Sequence, residues 1–507
     1  MRTIVVGAGS AGAVIASRLT EDDRHEVVLL EAGPDYAPGT ELPHDLRDGK
    51  QNSLHRHDWG LTYRATDHKL WSFIHMGFPR GRVVGGSSAV NTCIANRGQP
   101  RDYDEWAELG LPEWSFEKCL PFFKKLETDL DFDNEWHGQS GPIPIRRHPP
   151  EELVTWQAAF IEACREIGYP ACDDMNDPTT TGVGPFAMNK TKDGERVSSA
   201  RAYLTKDVRA RANFSLVPNA LARRVLIKRG RAVGLEYEHH GRVRDLYADR
   251  VVLSAGAIAT PGILLRSGVG PASEVAQLGV SLVADVPGIG ARLLDHPGVA
   301  IFFKPKKSGM SSILHPLVQT ICRISSGETD CPNDVMLQPG SFVPIPHLPV
   351  PGVTLAACLG KPRAVGRLRF RSARANDLPA IETNLLGDEV DRRVARECLK
   401  TLGRLARTKH LAPLADPVYP SRRPWEDSGD IRAAQALEQI CGSGYHPCGT
   451  VPMGPDSDPL AATDGRGNVR GVEGLVVADA SLMPTITSSN TNIPTLMIGE
   501  RFGEWLR

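Results

Sequence analysis

The first 33 residues constrain this chain more than any other stretch, because they fit one supersecondary unit. Thr3-Ile4-Val5-Val6 is a short apolar run rich in β-branched residues, as a buried parallel strand needs. Gly7-Ala8-Gly9-Ser10-Ala11-Gly12 follows at once and fits G-x-G-x-x-G. Ala13 to Leu19 has helical composition, His25 to Leu30 returns to strand, and Glu31 closes that strand 19 residues after Gly12. In such a unit the first glycine permits the tight turn, the second lets a pyrophosphate approach, and the third lets helix and strand pack closely. Free N–H groups at the helix start hold phosphates, and the acid accepts from ribose hydroxyls. The pattern predicts a dinucleotide site on Gly7, Gly9, Ser10, Ala11, Gly12, Glu31 and Ala32. Arg2 followed by fifteen uncharged residues also has the outline of a secretory leader. Three glycines in six positions make a poor apolar segment, however, and cleavage would remove the first strand.

With 507 residues the chain exceeds one ordinary core, so two or three domains are expected. Lys plus Arg (59) balance Asp plus Glu (60), which gives no reason to expect nucleic acid or an anionic membrane as partner. No uncharged apolar run reaches the length of a membrane span. The ten cysteines are scattered, with no C-x-x-C and no Cys/His cluster at metal spacing, which fits reduced thiols in a cytoplasm. His55-x-His57 is the nearest approach to a ligand pair, but Gln51, Asn52, Arg56 and Asp58 around it read as a polar loop, so no metal is expected.

Residues 34–80 read as long loops, and Gly81-Arg82-Val83-Val84-Gly85-Gly86-Ser87-Ser88 offers close backbone approach and several donors. Residues 151–168 show a helical stripe of Leu153, Trp156, Ala159, Phe160 and Ala163. Strand-like runs follow at Phe214–Pro218, Arg224–Lys228, Ala232–Tyr237 and Arg250–Ser254, then at Val353–Leu359 and Gly366–Arg371, with a helix from Asp388 to Leu405. The Pro-rich, charge-poor stretch 331–352 reads as a loop over a pocket, and residues 300–440 as an antiparallel sheet backed by helices. His296, next to Pro297, reads as a structural loop residue rather than a chemical one. Near the C-terminus, Gly474 to Asp479 is a strand ending in an acid, and Pro494 opens a helix behind Asn490-Thr491-Asn492.

Two motifs make the pattern more specific. Gly81 to Asn91, continuing through Ala95, Gly98 and Asp104, resembles the first signature of the glucose-methanol-choline (GMC) flavoprotein oxidoreductases. Gly256-Ala257, Thr260-Pro261, Ile263-Leu264 and Ser267-Gly268-Val269-Gly270 resemble the second. The resemblance runs from about residue 2 to 503 and implies FAD in place of NAD. It implies an α/β fold in which a Rossmann-like FAD-binding domain (1–150, 196–300 and 440–507) is interleaved with an α+β substrate domain (151–195 and 301–439) built on an antiparallel sheet. Arg82, Val84, Gly86, Ser87, Asn91, Thr92, Cys93, Ile94, Ala222, Asp479, Ala480, Thr491 and Asn492 join the expected cofactor contacts. Some members bond the flavin covalently through a His beside the position of Asn91; Val90 stands there, so FAD is expected to be non-covalent.

The resemblance assigns His446 and Asn490 to the pair facing the reactive flavin edge. The chemistry agrees: an imidazole can take a hydroxyl proton near neutral pH, and a carboxamide can donate to the developing alkoxide. Asn96 to Trp106, Gly141 to Ile145 and Ser489 to Met497 are most similar to bacterial 5-(hydroxymethyl)furfural oxidases, close to aryl-alcohol oxidases. The expectation is oxidation of a primary aromatic or furanic alcohol, with oxygen or another acceptor taking the electrons. A choline-dehydrogenase-like enzyme, an FAD-containing hydroxynitrile lyase, a light-driven fatty-acid decarboxylase and a non-catalytic dinucleotide-binding protein stand as alternatives. The oligomeric state is open.

Overall fold

The opening unit forms as its pattern requires: strand β1 (Arg2–Val6), helix α1 (Ser10–Leu19) and strand β2 (Glu26–Leu30). The structure, a computed structural model, describes residues 1–53, 56–64, 75–306, 310–343, 351–420, 437 and 440–507. Three further strands complete a parallel sheet: β3 (Phe214–Val217), β4 (Arg250–Leu253) and β5 (Leu475–Val477). Their order is β5-β4-β1-β2-β3, so both ends of the chain enter one sheet, with β4 paired between β5 and β1. Ile4, Val5, Val27, Leu29, Val251, Val252 and Val477 are fully buried, which explains why these strands are apolar throughout instead of alternating.

Helix α2 (Gly256–Arg266) follows β4, and the chain ends in α3 (Asn492–Trp505), which packs on α1. Gly499 and Gly503 make that approach possible, since a Cβ there would lie 2.9 Å from Val14 Cβ and 2.7 Å from Arg18 Cβ. The crossing is locked by Arg18, which donates from Nε and Nη2 to the fully buried carboxylate of Glu500, both at 2.8 Å.

The second large sheet is antiparallel. Its order is Ala415–Tyr419, Pro297–Pro305, Gly352–Leu359, Val335–Val343, Thr320–Ile324 and Gly182–Pro185, with Gly442–Ser443 paired to the start of Pro297–Pro305. Helices Thr155–Glu166 and Glu389–Ala406 pack against it, giving the expected helix-backed antiparallel sheet. Leu153 precedes its helix and is not part of the stripe.

One expectation fails here. The stretch 331–352 is not a loop over its described length: Val335–Val343 is a central strand of this sheet. Pro339 disguised it, because proline removes a ladder donor. The strand tolerates it because pairing with Thr320–Ile324 ends at Leu337, before the proline. Residues 344–350 lie outside the described residues. A three-stranded antiparallel sheet, Ala220–Lys228, Arg231–His239 and Arg242–Tyr247, takes in the runs Arg224–Lys228 and Ala232–Tyr237, and its exposed third strand had no apolar signal to reveal it; Arg367–Arg369, within the run Gly366–Arg371, pairs with Ala380–Glu382. Among the described residues no helix is long and apolar enough to cross a membrane.

Candidate active site

A cavity of about 480 Å³ runs from the C-terminal ends of β1, β2 and β4 to the antiparallel sheet. This is where open parallel sheets bind ligands. At one end the turn after β1 is shaped by glycine: Gly7 has φ +96°, and a Cβ on it would meet Ser254 O at 2.5 Å. A second glycine turn faces it. Gly86 has φ +51°, and a Cβ there would lie 2.7 Å from Gly9 Cα. Two backbone loops therefore come together with no side chain between them, beside the N-terminus of α1, whose first turn carries no acid and whose N-cap makes no side-chain hydrogen bond. That is a cradle for a pyrophosphate.

Glu31 ends β2 at this cradle, with 6% exposure, and accepts from Ala8 N at 3.0 Å and Gly33 N at 2.8 Å. Burial pushes its carboxyl up to about 7 against these two hydrogen bonds. Asp479 follows β5 and caps α2, accepting from Gly256 N (2.8 Å), Thr260 Oγ1 (2.6 Å) and Ser481 N (2.8 Å); burial raises its carboxyl above the ordinary range. Asn492, the first residue of α3, accepts from Ser10 Oγ at 2.9 Å, while its Nδ2 is buried with no partner. An orphaned amide donor lining an elongated cavity beside a helix N-terminus is what a phosphate- and ribityl-bearing cofactor would satisfy.

Of the residues expected to hold a cofactor, Gly7, Gly9, Ser10, Ala11, Glu31, Ala32, Gly86, Ser87, Asn91, Thr92, Ile94, Ala222, Asp479, Ala480, Thr491 and Asn492 line this one cavity. Four do not. Gly12 packs against the turn, where a Cβ would meet Gly7 O at 1.9 Å. Arg82 is exposed and stacks on Trp59, a wall residue, 4.8 Å from the ring centroid. Val84 is 5% exposed and joins the core. Cys93 is fully buried at φ +64°, where its N–H donates to Asn91 Oδ1 at 2.9 Å. Val90, beside Asn91, lines the cavity and offers no atom for a covalent bond to a flavin.

At the other end His446 and Asn490 meet, with His446 Nε2 and Asn490 Nδ2 2.9 Å apart. His446 follows Tyr445, held at φ +64°, and its backbone N–H donates to Asp295 Oδ1 at 2.8 Å. Arg80 Nη2 donates to Tyr445 O at 2.6 Å and fixes the same turn from the opposite side. Burial, then the neighbouring His296 and Arg80, hold the His446 imidazole well below its ordinary pKa. It is therefore neutral at physiological pH, with a lone pair available.

Asn490 sits on a loop secured by groups that the sequence reading did not single out. Asp102 Oδ2 accepts from Ser488 N (2.8 Å) and Ser488 Oγ (2.7 Å), Glu105 accepts from Thr485 Oγ1 (2.8 Å), and Lys361 Nζ donates to Ile486 O (2.8 Å). The wall around the pair includes Leu317, Val318, Met336, Gln338 and Cys358, mostly from the antiparallel sheet.

His296 lies in the loop before Pro297–Pro305, as read from the sequence, but that loop enters the site. The residue is fully buried, and its Nδ1 lies 2.9 Å from His446 Nδ1. No local signal could have shown this contact across 150 residues. Of the His55-x-His57 pair, His55 lies outside the described residues. His57 is engaged by Tyr36 Oη at 2.9 Å and Asp45 Oδ2 at 3.0 Å.

Comparison with known proteins agrees with this geometry. The family description "GMC oxidoreductase" matches residues 1–298 through its N-terminal part and 362–499 through its C-terminal part. The 5-(hydroxymethyl)furfural oxidase of Methylovorus sp. (strain MP688) is 34% identical, over 99% of this chain and 97% of that protein. The oxygen-dependent choline dehydrogenase of Stenotrophomonas maltophilia (strain R551-3) is also 34% identical, over 99% and 94%. The crystal structure of pyridoxine 4-oxidase from Mesorbium loti superposes with a TM-score of 0.91, at 27% identity over 99% of this chain and 98% of that one. Two glycine-rich loops at the head of a parallel sheet, a His/Asn pair facing them along one cavity, and these matches over nearly the whole length lead to one conclusion: the chain belongs to the GMC oxidoreductase family.

Proposed function

We propose that this FAD-dependent oxidoreductase, which acts on CH–OH groups, oxidises a primary aromatic or furanic alcohol to the aldehyde, and the hydrated aldehyde onward to the acid. The observation that carries the reading is the His446–Asn490 pair, 2.9 Å apart and facing the cavity that the glycine loops close. Bound FAD supplies an acceptor for the hydride that leaves the alcohol carbon. Gly7, Gly9, Gly86 and the start of α1 would hold its pyrophosphate, Glu31 its ribose, and Asn492 Nδ2 the chain toward the ring. With Val90 in place of a linking histidine, the cofactor is held without a covalent bond. On this reading residues 1–150, 196–300 and 440–507 form the cofactor domain, and 151–195 with 301–439 form the substrate domain.

His446, kept neutral by burial, takes the hydroxyl proton of the substrate. Asn490 cannot titrate, so at every working pH its amide orients the hydroxyl and donates to the oxygen as negative charge develops. Burial of the site keeps water from competing for either group. Two features favour an apolar alcohol over a quaternary ammonium such as choline. The wall is built from Leu317, Val318, Met336 and Cys358. In addition, the charged side chain acting on His446 is the Arg80 cation, while the carboxylates among the described lining residues are Glu31, Asp377 and Asp479. Asp295, buried beside the pair, offsets the Arg80 charge, so the apolar wall is the stronger of the two. All ten cysteines are free thiols, which supports a reducing cytoplasm as its location.

The test is an anaerobic spectrum of the yellow protein with a panel holding benzyl alcohol, 5-(hydroxymethyl)furfural, choline and mandelonitrile. Bleaching by the first two, with peroxide released on readmitting air, supports an alcohol oxidase. Bleaching without peroxide assigns the electrons to another acceptor. Cyanide release from mandelonitrile with the flavin still oxidised would show a lyase instead.

A further inference from the structure

His296 makes three contacts that between them leave one arrangement of protons. Its Nε2 lies 3.0 Å from Gly360 O and 2.9 Å from Thr487 O. Both partners are backbone carbonyls, which only accept, so Nε2 must carry the proton. Burial holds the ring neutral, pushing its pKa down to about 4, so Nδ1 carries a lone pair. That lone pair faces His446 Nδ1 at 2.9 Å. If His446 carried its proton on Nε2, two lone pairs would oppose each other at hydrogen-bond distance in a buried site. Only the Nδ1–H form of His446 makes the bond. Its Nε2 is then bare, which matches the Asn490 Nδ2 donor on that side.

We infer that His296 is a positioning residue that fixes the tautomer of His446, holding its Nε2 lone pair toward the cavity. This rests on the reading of His446 as the base. When the substrate O–H gives its proton to Nε2, the two electrons of that bond remain on oxygen. His446 becomes an imidazolium whose Nδ1–H still donates to His296, so the bond that selects the tautomer also stabilises the product of the proton transfer. The groups that face the pair from the surrounding elements are Asp295, which accepts from the backbone N–H of both histidines, together with Arg80, Lys361 and Cys358. None of these is placed to accept from His446 Nδ1 in place of His296 among the described contacts.

Two measurements on the holoenzyme test the inference. In ¹⁵N NMR of histidine-labelled protein near pH 7.5, the resonances lost in His446→Ala should show a protonated Nδ1 and a bare Nε2. This readout needs no turnover. In the second, 5-(hydroxymethyl)furfural is the substrate for His296→Leu and His296→Asn. The leucine variant should lose about 10- to 100-fold in kcat, the effect of one buried hydrogen bond left unmade, with little change in KM. The asparagine variant returns an acceptor oxygen near the position of Nδ1 and should recover most of that loss. A wild-type His446 protonated on Nε2 would overturn the inference, as would a leucine variant with unchanged tautomer and kcat. If leucine prevents folding, the wild-type spectrum and the asparagine variant still decide. Full activity in His446→Ala would refute the base assignment instead, and the tautomer would remain measurable on its own.

Discussion

Two buried histidine centres in this protein have opposite electrostatics. At His446 burial, another imidazole and a guanidinium drive the ring toward its neutral form, while Asp295 binds the backbone N–H. At His137, whose side chain is fully buried where that of His446 is half-buried, Nδ1 lies 3.1 Å from Glu127 and 2.8 Å from Asp129, and Nε2 lies 2.7 Å from Asp174. Burial opposes charge there too, but the three carboxylates win and raise the ring to about 10. Arg97 on Glu127, and Arg147 on Asp129 and Asp174, complete the set. Three buried anions balance three cations, with the partly exposed Asp131 at the edge of the cluster, 3.4 Å from Arg147. Both ring nitrogens of His137 are committed to anions, so it holds the chain together. His446 meets no anion: Nδ1 faces His296, and Nε2 shares the cavity with the neutral Asn490 amide, which a substrate hydroxyl can displace, so it can do chemistry. Residue type does not separate the two; the sign of the neighbours and the opening to a cavity do.

The comparison breaks most visibly if its two members respond alike to deletion. His446→Ala should slow reduction of the flavin by alcohol about 10²- to 10⁴-fold, as loss of a general base does, with the melting temperature nearly unchanged. His137→Leu should do the reverse. It leaves three carboxylates facing two guanidinium groups in the interior and should lower unfolding free energy by about 3–5 kcal/mol in urea titrations, with turnover per folded molecule retained. Asn490→Ala tests the partner at the reactive centre. Loss of one preorganised donor should reduce kcat about 10²- to 10³-fold, whereas KM should move less.

A smaller effect sharpens the contrast through pH. The folded-state pKa of His137, about 10, lies above its unfolded value near 6.5, so its stabilisation is complete below pH 6.5 and is lost as pH rises toward 10. Wild-type stability should fall by about 1 kcal/mol per pH unit between pH 7 and 9 from this group, and His137→Gln should flatten that slope.

How far these centres were legible from the chain depends on how local their signals are. The turn after β1 could be read directly, because strand, glycines, helix start and Glu31 follow one another within one unit. His446 and Asn490 were legible through their motifs, although 44 residues separate them. His296 was not, because its place depends on Pro297–Pro305 pairing with Gly442–Ser443, a register that no local pattern encodes. The strand Val335–Val343 was hidden by Pro339. Gly12, Arg82, Val84 and Cys93 belong to the right segments, but Gly12, Val84 and Cys93 are packed behind the cavity wall and Arg82 is exposed over Trp59.

The reductive half-reaction, followed anaerobically from pH 7 to 9 with a saturating aromatic alcohol, tests the central claim most directly. His446 is depressed well below 6.5, and the adjoining Asp295 is pushed by burial up to about 6, so both have their midpoints below this window. The rate constant for flavin bleaching should be constant across it. A rate that keeps climbing toward pH 9 would mean that the base is still losing a proton there, as a histidine in the setting of His137 would be, and would contradict the account.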